Sequence, residues 1–292
     1  MAKARALDRR RRSVRNIRKI TRTMELIATA RFKKAMDRSI AARDYTKQLA
    51  KIMENISAVG ASVSHPLLEV RPAQRAAVLV LTGNRGLCGG YNSNIVRQAV
   101  ALLGQWKSER VATDLTVSGK RGITALKFRG FEIGERYTEF EDKPDFAAVA
   151  PIGRAYLEAY ETAAIDRLDV VYTKFHSIAK QEAVTETLLP LTPPESAGGG
   201  KARLASEEYE FLPSPESILA EILPASFMSR LFKCFLDAAV SEQVARMVAM
   251  KAATENAGGL IKSLSRQYNR ARQSQITGEI MEILGGVEAL KK

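Results

Sequence analysis

The residues whose spacing could do chemistry are the glycines of TGNRGLCGGYN, Thr82 to Asn92. An apolar run, Ala76–Leu81, leads into them and a helical pattern, Asn92–Trp106, follows. Strand, glycine loop and helix are the parts from which phosphate cradles are built. The spacing does not match one. A P-loop places Lys and Ser/Thr after its last glycine, and here Gly90 is followed by Tyr91 and Asn92. The dinucleotide fingerprint needs a glycine two positions after its first, and Arg85 stands there. The reading is therefore that the glycines let a strand turn tightly into a helix, with no cofactor held. His65 and His176 stand alone, and no Ser/His/Asp grouping or carboxylate cluster suggests itself. Cys88 could be a thiol at a helix start, but a small residue packed in a turn fits it better. Cys88 and Cys234 supply neither a disulfide framework nor metal-ligand spacing and point to a reducing, cytoplasmic setting.

The elements around this loop fall into three parts. From Leu7 to Val59 the chain has no Pro and no Gly, and apolar residues recur at Val14, Ile17, Ile20, Met24 and Ile27. Steps of three and four predict one long helix with a narrow seam. Runs at Ala76–Leu81, Asp114–Ser118, Leu168–Phe175 and Val184–Leu191 read as strands, with helices at Asn92–Trp106, Lys120–Phe128 and Phe146–Ala164 between them. That alternation predicts βαβ units around a mainly parallel sheet. A Pro- and Gly-rich connection, LTPPESAGGGKAR, follows the last strand.

After it a short helical piece is expected to break at Pro224. A second long helix then runs from Ala225 to about Leu284, its seam carried by Phe232, Phe235, Val240, Val244, Met247, Leu260, Ile261, Leu264, Tyr268, Ile276, Ile280 and Ile283. Gly258 and Gly259 inside it mean either close packing or local weakness. Two helices with seams too narrow for a globular core are best buried against each other, as an antiparallel coiled coil.

Charge is confined to one element. Residues 3 to 47 hold sixteen Lys/Arg against four acids, which is +12 of the chain's +13. A basic helix of this kind can track a phosphate backbone, which keeps a nucleic-acid-binding coiled coil as the alternative reading. Phe32 and Tyr45 are its only aromatics, so it offers few platforms for stacked bases. No run approaches the ~18 apolar residues of a spanning helix, and the Arg-rich start lacks the apolar segment of a secretory signal.

Three segments carry a resemblance: SVRNIRKITRTMELIATARFKKA (Ser13–Ala35), RGLCGGYN (Arg85–Asn92) and SEQVARMVAMKAATENAGGLIKSLSRQYNRARQSQITGEIMEILGGVEAL (Ser241–Leu290). They closely resemble the gamma subunit of F-type ATP synthase, and YEFLPSPESIL (Tyr209–Leu219) fits as well. The resemblance implies a mixed α/β fold, with an antiparallel coiled coil of the terminal helices (1–60 and 216–292) and a Rossmann-like α/β domain (72–212). It implies a rotor shaft without catalytic, cofactor or metal residues of its own, in a complex whose catalytic sites lie on beta subunits. The implied partners are the alpha and beta subunits, the epsilon subunit and the membrane c ring, with no nucleic acid, at the cytoplasmic face of the membrane as a peripheral protein. By resemblance, Met24, Arg246, Arg272, Gln273 and Thr277 are the coupling contacts, Tyr209 and Phe211 are foot contacts, and Ile280–Leu290 is the tip. Arg18 stands where the family usually has Gln, and Leu212 where an acid is common.

Overall fold

A computed structural model describes residues 2–58, 65–140, 143–191 and 215–290. Five strands form one sheet: β1 (Arg75–Leu81), β2 (Ala112–Ser118), β3 (Arg136–Tyr137), β4 (Arg167–Phe175) and β5 (Gln181–Leu189), in the order β3-β2-β1-β4-β5. The first four are parallel, and β5 returns antiparallel to β4. Helices α2 (Tyr91–Ser108), α3 (Lys120–Phe128) and α4 (Phe146–Glu161) link the parallel strands. Parallel neighbours need such crossovers, and the near-continuous burial of β1 and β4 is that of strands covered on both faces. β3, two residues long, gives no periodic signal and was not foreseen from the sequence.

Two apolar layers flank the sheet. On one face α2 and α3 bury Ile95, Val96, Leu103 and Leu126 against Val78, Val80 and Val117. On the other, Leu79, Leu81, Leu168, Val170 and Tyr172 meet α4 and residues Leu223, Phe227, Leu231 and Phe235. The last four belong to α5, which runs unbroken from Pro215 to Leu290. The break expected at Pro224 is absent. Proline in a helix interior costs about 3 kcal/mol or more, but Leu223 and Phe227 on either side of it are fully buried. Burying a large apolar side chain contributes roughly 1.5–3 kcal/mol, so two such anchors hold the helix through the proline.

By packing, the chain divides into two units: one of residues 1–29 with 246–292, the other of residues 30–245. Both α1 (Ala2–Ala58) and α5 contribute to each. In the first unit the two helices run antiparallel, since Arg11 stacks on Tyr268, Arg18 lies against Gly258, and the hydroxyls of Thr21 and Thr254 are 2.9 Å apart.

The seam between them differs from the expected one. Its buried positions include Thr21 and Ala28 on α1, and Met250, Ala257 and Leu264 on α5, each of these sets spaced by seven, with Ala4 and Arg246 buried off that spacing; of these, Leu264 was expected in the seam. That is the coiled-coil period, but carried on α1 by small residues. Ile17, Ile20 and Ile27, read from the sequence as seam residues, are about half exposed, as are Leu260, Ile276, Ile280 and Ile283. Apolar periodicity marks a face that avoids water but does not say what covers it. Gly258 and Gly259 are not demanded by close approach. A Cβ on Gly258 would meet Arg18 only at 3.9 Å, and one on Gly259 would meet nothing within 4 Å.

Candidate functional site

The glycine loop joins the ends of several elements. Thr82 donates its hydroxyl to the Ser118 carbonyl at 2.8 Å and accepts the Gly122 N–H at 3.0 Å, tying β1 to β2 and the first turn of α3. Asn84 accepts the Lys120 N–H at 2.9 Å and donates to the Thr138 carbonyl at 2.7 Å. Asn92, in the first turn of α2, accepts the Gly83 N–H at 2.8 Å and donates to the Cys88 sulfur at 3.1 Å. Cys88 is buried, so the packed-turn reading fits it. Gly119 is fixed by its surroundings: its φ is +101°, and a Cβ there would lie 2.1 Å from the Thr82 carbonyl oxygen.

Within the loop only Gly89 among the glycines needs the left-handed backbone, with φ of 56°, and Leu87 shares that region at 65°. Tight turning therefore does not explain Gly83. A Cβ on Gly83 would lie 2.8 Å from the Glu242 carboxyl, the far end of a side chain that reaches over from α5 and would have to shift. The Ser241 hydroxyl donates to the Thr173 carbonyl at 3.1 Å, and the Tyr91 hydroxyl donates to the Ala238 carbonyl at 3.0 Å. Residues 238, 241 and 242 share one face of a helix, and that face lies over the C-terminal ends of β1 and β4.

A second polar cluster lies beneath α5. Glu186 accepts the Tyr172 hydroxyl at 2.6 Å and pairs with Arg230 at 3.4 Å and Lys174 at 3.5 Å. Burial alone would raise its pKa, but the Tyr172 hydroxyl, Lys174 and Arg230 hold it below the usual carboxylate value. Burial pushes the Tyr172 hydroxyl upward, and Glu186 adds to that shift. Asp237, 3% exposed, is pushed up to about 6 by burial, with Glu186 adding and Lys233, Arg43 and Lys174 opposing. The histidines have local roles: His65 accepts the Leu67 N–H at 3.2 Å, and His176 lies 3.9 Å from Glu182 at the turn between β4 and β5.

The residues assigned to coupling by resemblance all fall in the helix pair. Met24 is half-buried and Arg246 is buried, whereas Arg272, Gln273 and Thr277 are exposed on α5. Arg272 lines a groove of about 560 Å³ with Arg5, Arg9, Arg12 and Tyr268, and Asp8 lies in it. Burial would raise the Asp8 pKa, but its hydrogen bonds to Arg11 and Arg12, both 2.6 Å, hold it below the usual value. Tyr209 and Phe211 lie outside the described residues. The contact between Gly83 and Glu242, which joins residues 159 positions apart, was missed by sequence reasoning. Its available signal was the polar run Ser241-Glu242-Gln243 inside an otherwise apolar helix face, which is buried in the structure.

A family model described as ATP synthase matches residues 3–290. An ATP synthase gamma chain from Rhodopirellula baltica is 60% identical over 296 residues, covering 100% of both chains. The chain belongs to the ATP synthase gamma-chain family. The relationship holds at greater distance, with 37% identity over 292 residues to the gamma chain of Leptospira biflexa, covering 99% of this chain and 100% of that one.

Among solved structures, a chain of the Euglena gracilis mitochondrial ATP synthase, seen with OSCP, F1 and c ring, aligns with a TM-score of 0.69 at 20% identity. It covers 99% of this chain and 95% of that one. A chain from the central stalk and c ring of the Tetrahymena thermophila enzyme aligns at 0.59 and 22%, covering 80% of this chain and 99% of that one. At such identities the likeness shows a shared fold. No helix among the described residues is long and apolar enough to cross a membrane.

Proposed function

We propose that this gamma chain is the non-catalytic rotor of an F-type ATP synthase, coupling ion flow through a membrane c ring to ATP synthesis or hydrolysis on beta subunits. The observation that carries this reading is the second apolar face of the helix pair. A self-sufficient coiled coil buries its apolar residues in one seam, yet here Ile17, Ile20 and Ile27 on α1 and Ile276, Ile280 and Ile283 on α5 face outward. Exposed apolar surface on this scale marks an interaction site, and a sleeve of alpha and beta subunits is the covering the family supplies. Beyond Ile276, which lies across a groove from Ala4 near the start of α1, Met281, Leu284 and Val287 are also exposed. In this reading they form the tip within that sleeve.

Met24, Arg246, Arg272, Gln273 and Thr277 are the contacts through which the shaft biases the beta subunits. A rotor shifts their conformations only through contacts that differ between states, and cations such as Arg272 set register against acidic loops. Tyr209 and Phe211 serve the foot, with the epsilon subunit and the c ring as partners. The chain is then a peripheral protein at the cytoplasmic face of the membrane, held there through the c ring. Mixing it with alpha and beta subunits tests this reading. The expected product is a stable complex with ATPase activity that the alpha–beta mixture lacks. Failure to associate, or salt-resistant retention of RNA or DNA instead, contradicts it; salt-sensitive retention is what a charge of +13 brings by itself.

A further inference from the structure

The order β3-β2-β1-β4-β5 reverses direction between β1 and β4. Connections from β1 run outward through α2 and α3 on one face, whereas α4 returns on the other to β4. In open sheets of this kind, ligands bind outside the carboxyl ends of the strands at that reversal, with an anion on the loop after the first strand. Here the place is filled by the chain itself. Glu242 brings its carboxyl carbon and both oxygens to within 2.8–2.9 Å of where a Gly83 Cβ would stand. Ser241 bonds the Thr173 carbonyl near the end of β4, and Val240 and Val244 pack on Phe175 at that strand's last position. Tyr91, at the start of α2, bonds the Ala238 carbonyl.

We propose that Glu242 is a positioning residue that locks the rotational register of α5 on the α/β sheet, its carboxylate occupying the loop position that an anionic ligand takes in nucleotide-binding sheets. The proposal rests on the rotor reading, because a shaft transmits torque only if it cannot turn about its own axis on the body that carries it. The apolar anchors Leu223, Phe227, Leu231 and Phe235 resist turning over the first turns of α5, and the polar contacts at 238–242 hold the stretch that follows. The Ser241 and Tyr91 hydrogen bonds are directional, and a rotation of α5 that moves Glu242 off Gly83 breaks both, since they lie on the same face. Gly83 is the other half of the device. A side chain there displaces the carboxyl group from its seat.

The test uses the complete ATP synthase in membrane vesicles, with ion pumping measured per ATP hydrolysed. Gly83→Ala lowers this ratio by displacing the carboxylate. Gly83→Ala with Glu242→Asp, which withdraws the carboxyl by one methylene, recovers it. Glu242→Ala removes the carboxylate without a clash and lowers the ratio while hydrolysis persists. In the isolated chain it also speeds amide exchange across residues 238–245. A merely structural role lowers the yield of complex in all variants and leaves the ratio per assembled complex unchanged, which overturns the proposal. An unaltered ratio and exchange rate in Glu242→Ala overturns it as well. Failure of the rotor reading is separable, because the unsubstituted chain would then show no coupled pumping.

Discussion

The unit of residues 30–245 and the unit of residues 1–29 with 246–292 treat apolar side chains in opposite ways. In the first, Leu79, Leu168, Tyr172 and Phe227 are buried almost completely between sheet and helices. In the second, small residues on α1 line the seam and several isoleucines face outward. The first unit covers most of its large apolar side chains itself, with Phe128 and Val70 left exposed, whereas the second leaves a larger share of its own uncovered. A stable body and an unfinished shaft are the two parts that a rotor requires.

Four variants test this contrast, in descending order of effect on stability. Phe227→Ala empties a fully buried site in the sheet-bearing unit. It should cost about 3–5 kcal/mol, read as a lowered urea midpoint of the isolated chain. A cost below about 1 kcal/mol would mean that this core is not the stabilising one.

Asp237 comes next, and its effect depends on pH. Its folded pKa of about 6 lies above the ordinary aspartate value, so the folded state holds the proton more tightly. Its contribution to stability is complete below the unfolded pKa and is lost as pH rises through about 6. Asp237→Asn should match the parent near the lower end of that window and exceed it above the upper end, by on the order of 2 kcal/mol. Glu186 works in the opposite sense, since its lowered pKa contributes above its ordinary value and is lost on acidification. Comparing denaturation of the two chains across pH isolates the Asp237 share, and parallel curves would refute it.

In the helix pair, Gly259→Ala fills open space and should stabilise α5 by roughly 0.5–1 kcal/mol, measured as slower amide exchange around residue 259. Ile280→Ser with Ile283→Ser should change the stability of the isolated chain by less than about 0.5 kcal/mol, because both are exposed. The same pair should weaken assembly with alpha and beta subunits. A large loss of stability in the isolated chain would show that the tip is covered from within, and the contrast between the units would fail.

The sheet was legible from the sequence because β1 is a nearly continuous apolar run, the other main strands are short runs rich in apolar and β-branched residues, and helical patterns separate the parallel ones. Observed bounds differ from the expected ones by up to three residues, as at β5, expected at Val184–Leu191 and found at Gln181–Leu189. The seam of the helix pair was misread for a physical reason. Isoleucines at heptad-like steps give the stronger pattern, but Thr21 and Ala28 permit the closer approach. Pro224 misled in the same way, since its local cost is visible in sequence and the burial of Leu223 and Phe227 is not. The glycine loop lacks the spacing of a phosphate cradle, and its partner on α5 could not be inferred. Spacing along a strand–loop–helix unit says nothing of a carboxylate arriving 159 residues later.

The central claim is rotation. Phe128 at the end of α3 is 90% exposed, and Cys88 and Cys234 are both buried. Phe128→Cys therefore offers one accessible thiol on the sheet-bearing unit for a visible probe. In a surface-anchored complex with alpha and beta subunits, ATP should drive that probe in continuous rotation of one direction. A complex that hydrolyses ATP at the same rate while the probe stays still would contradict the account.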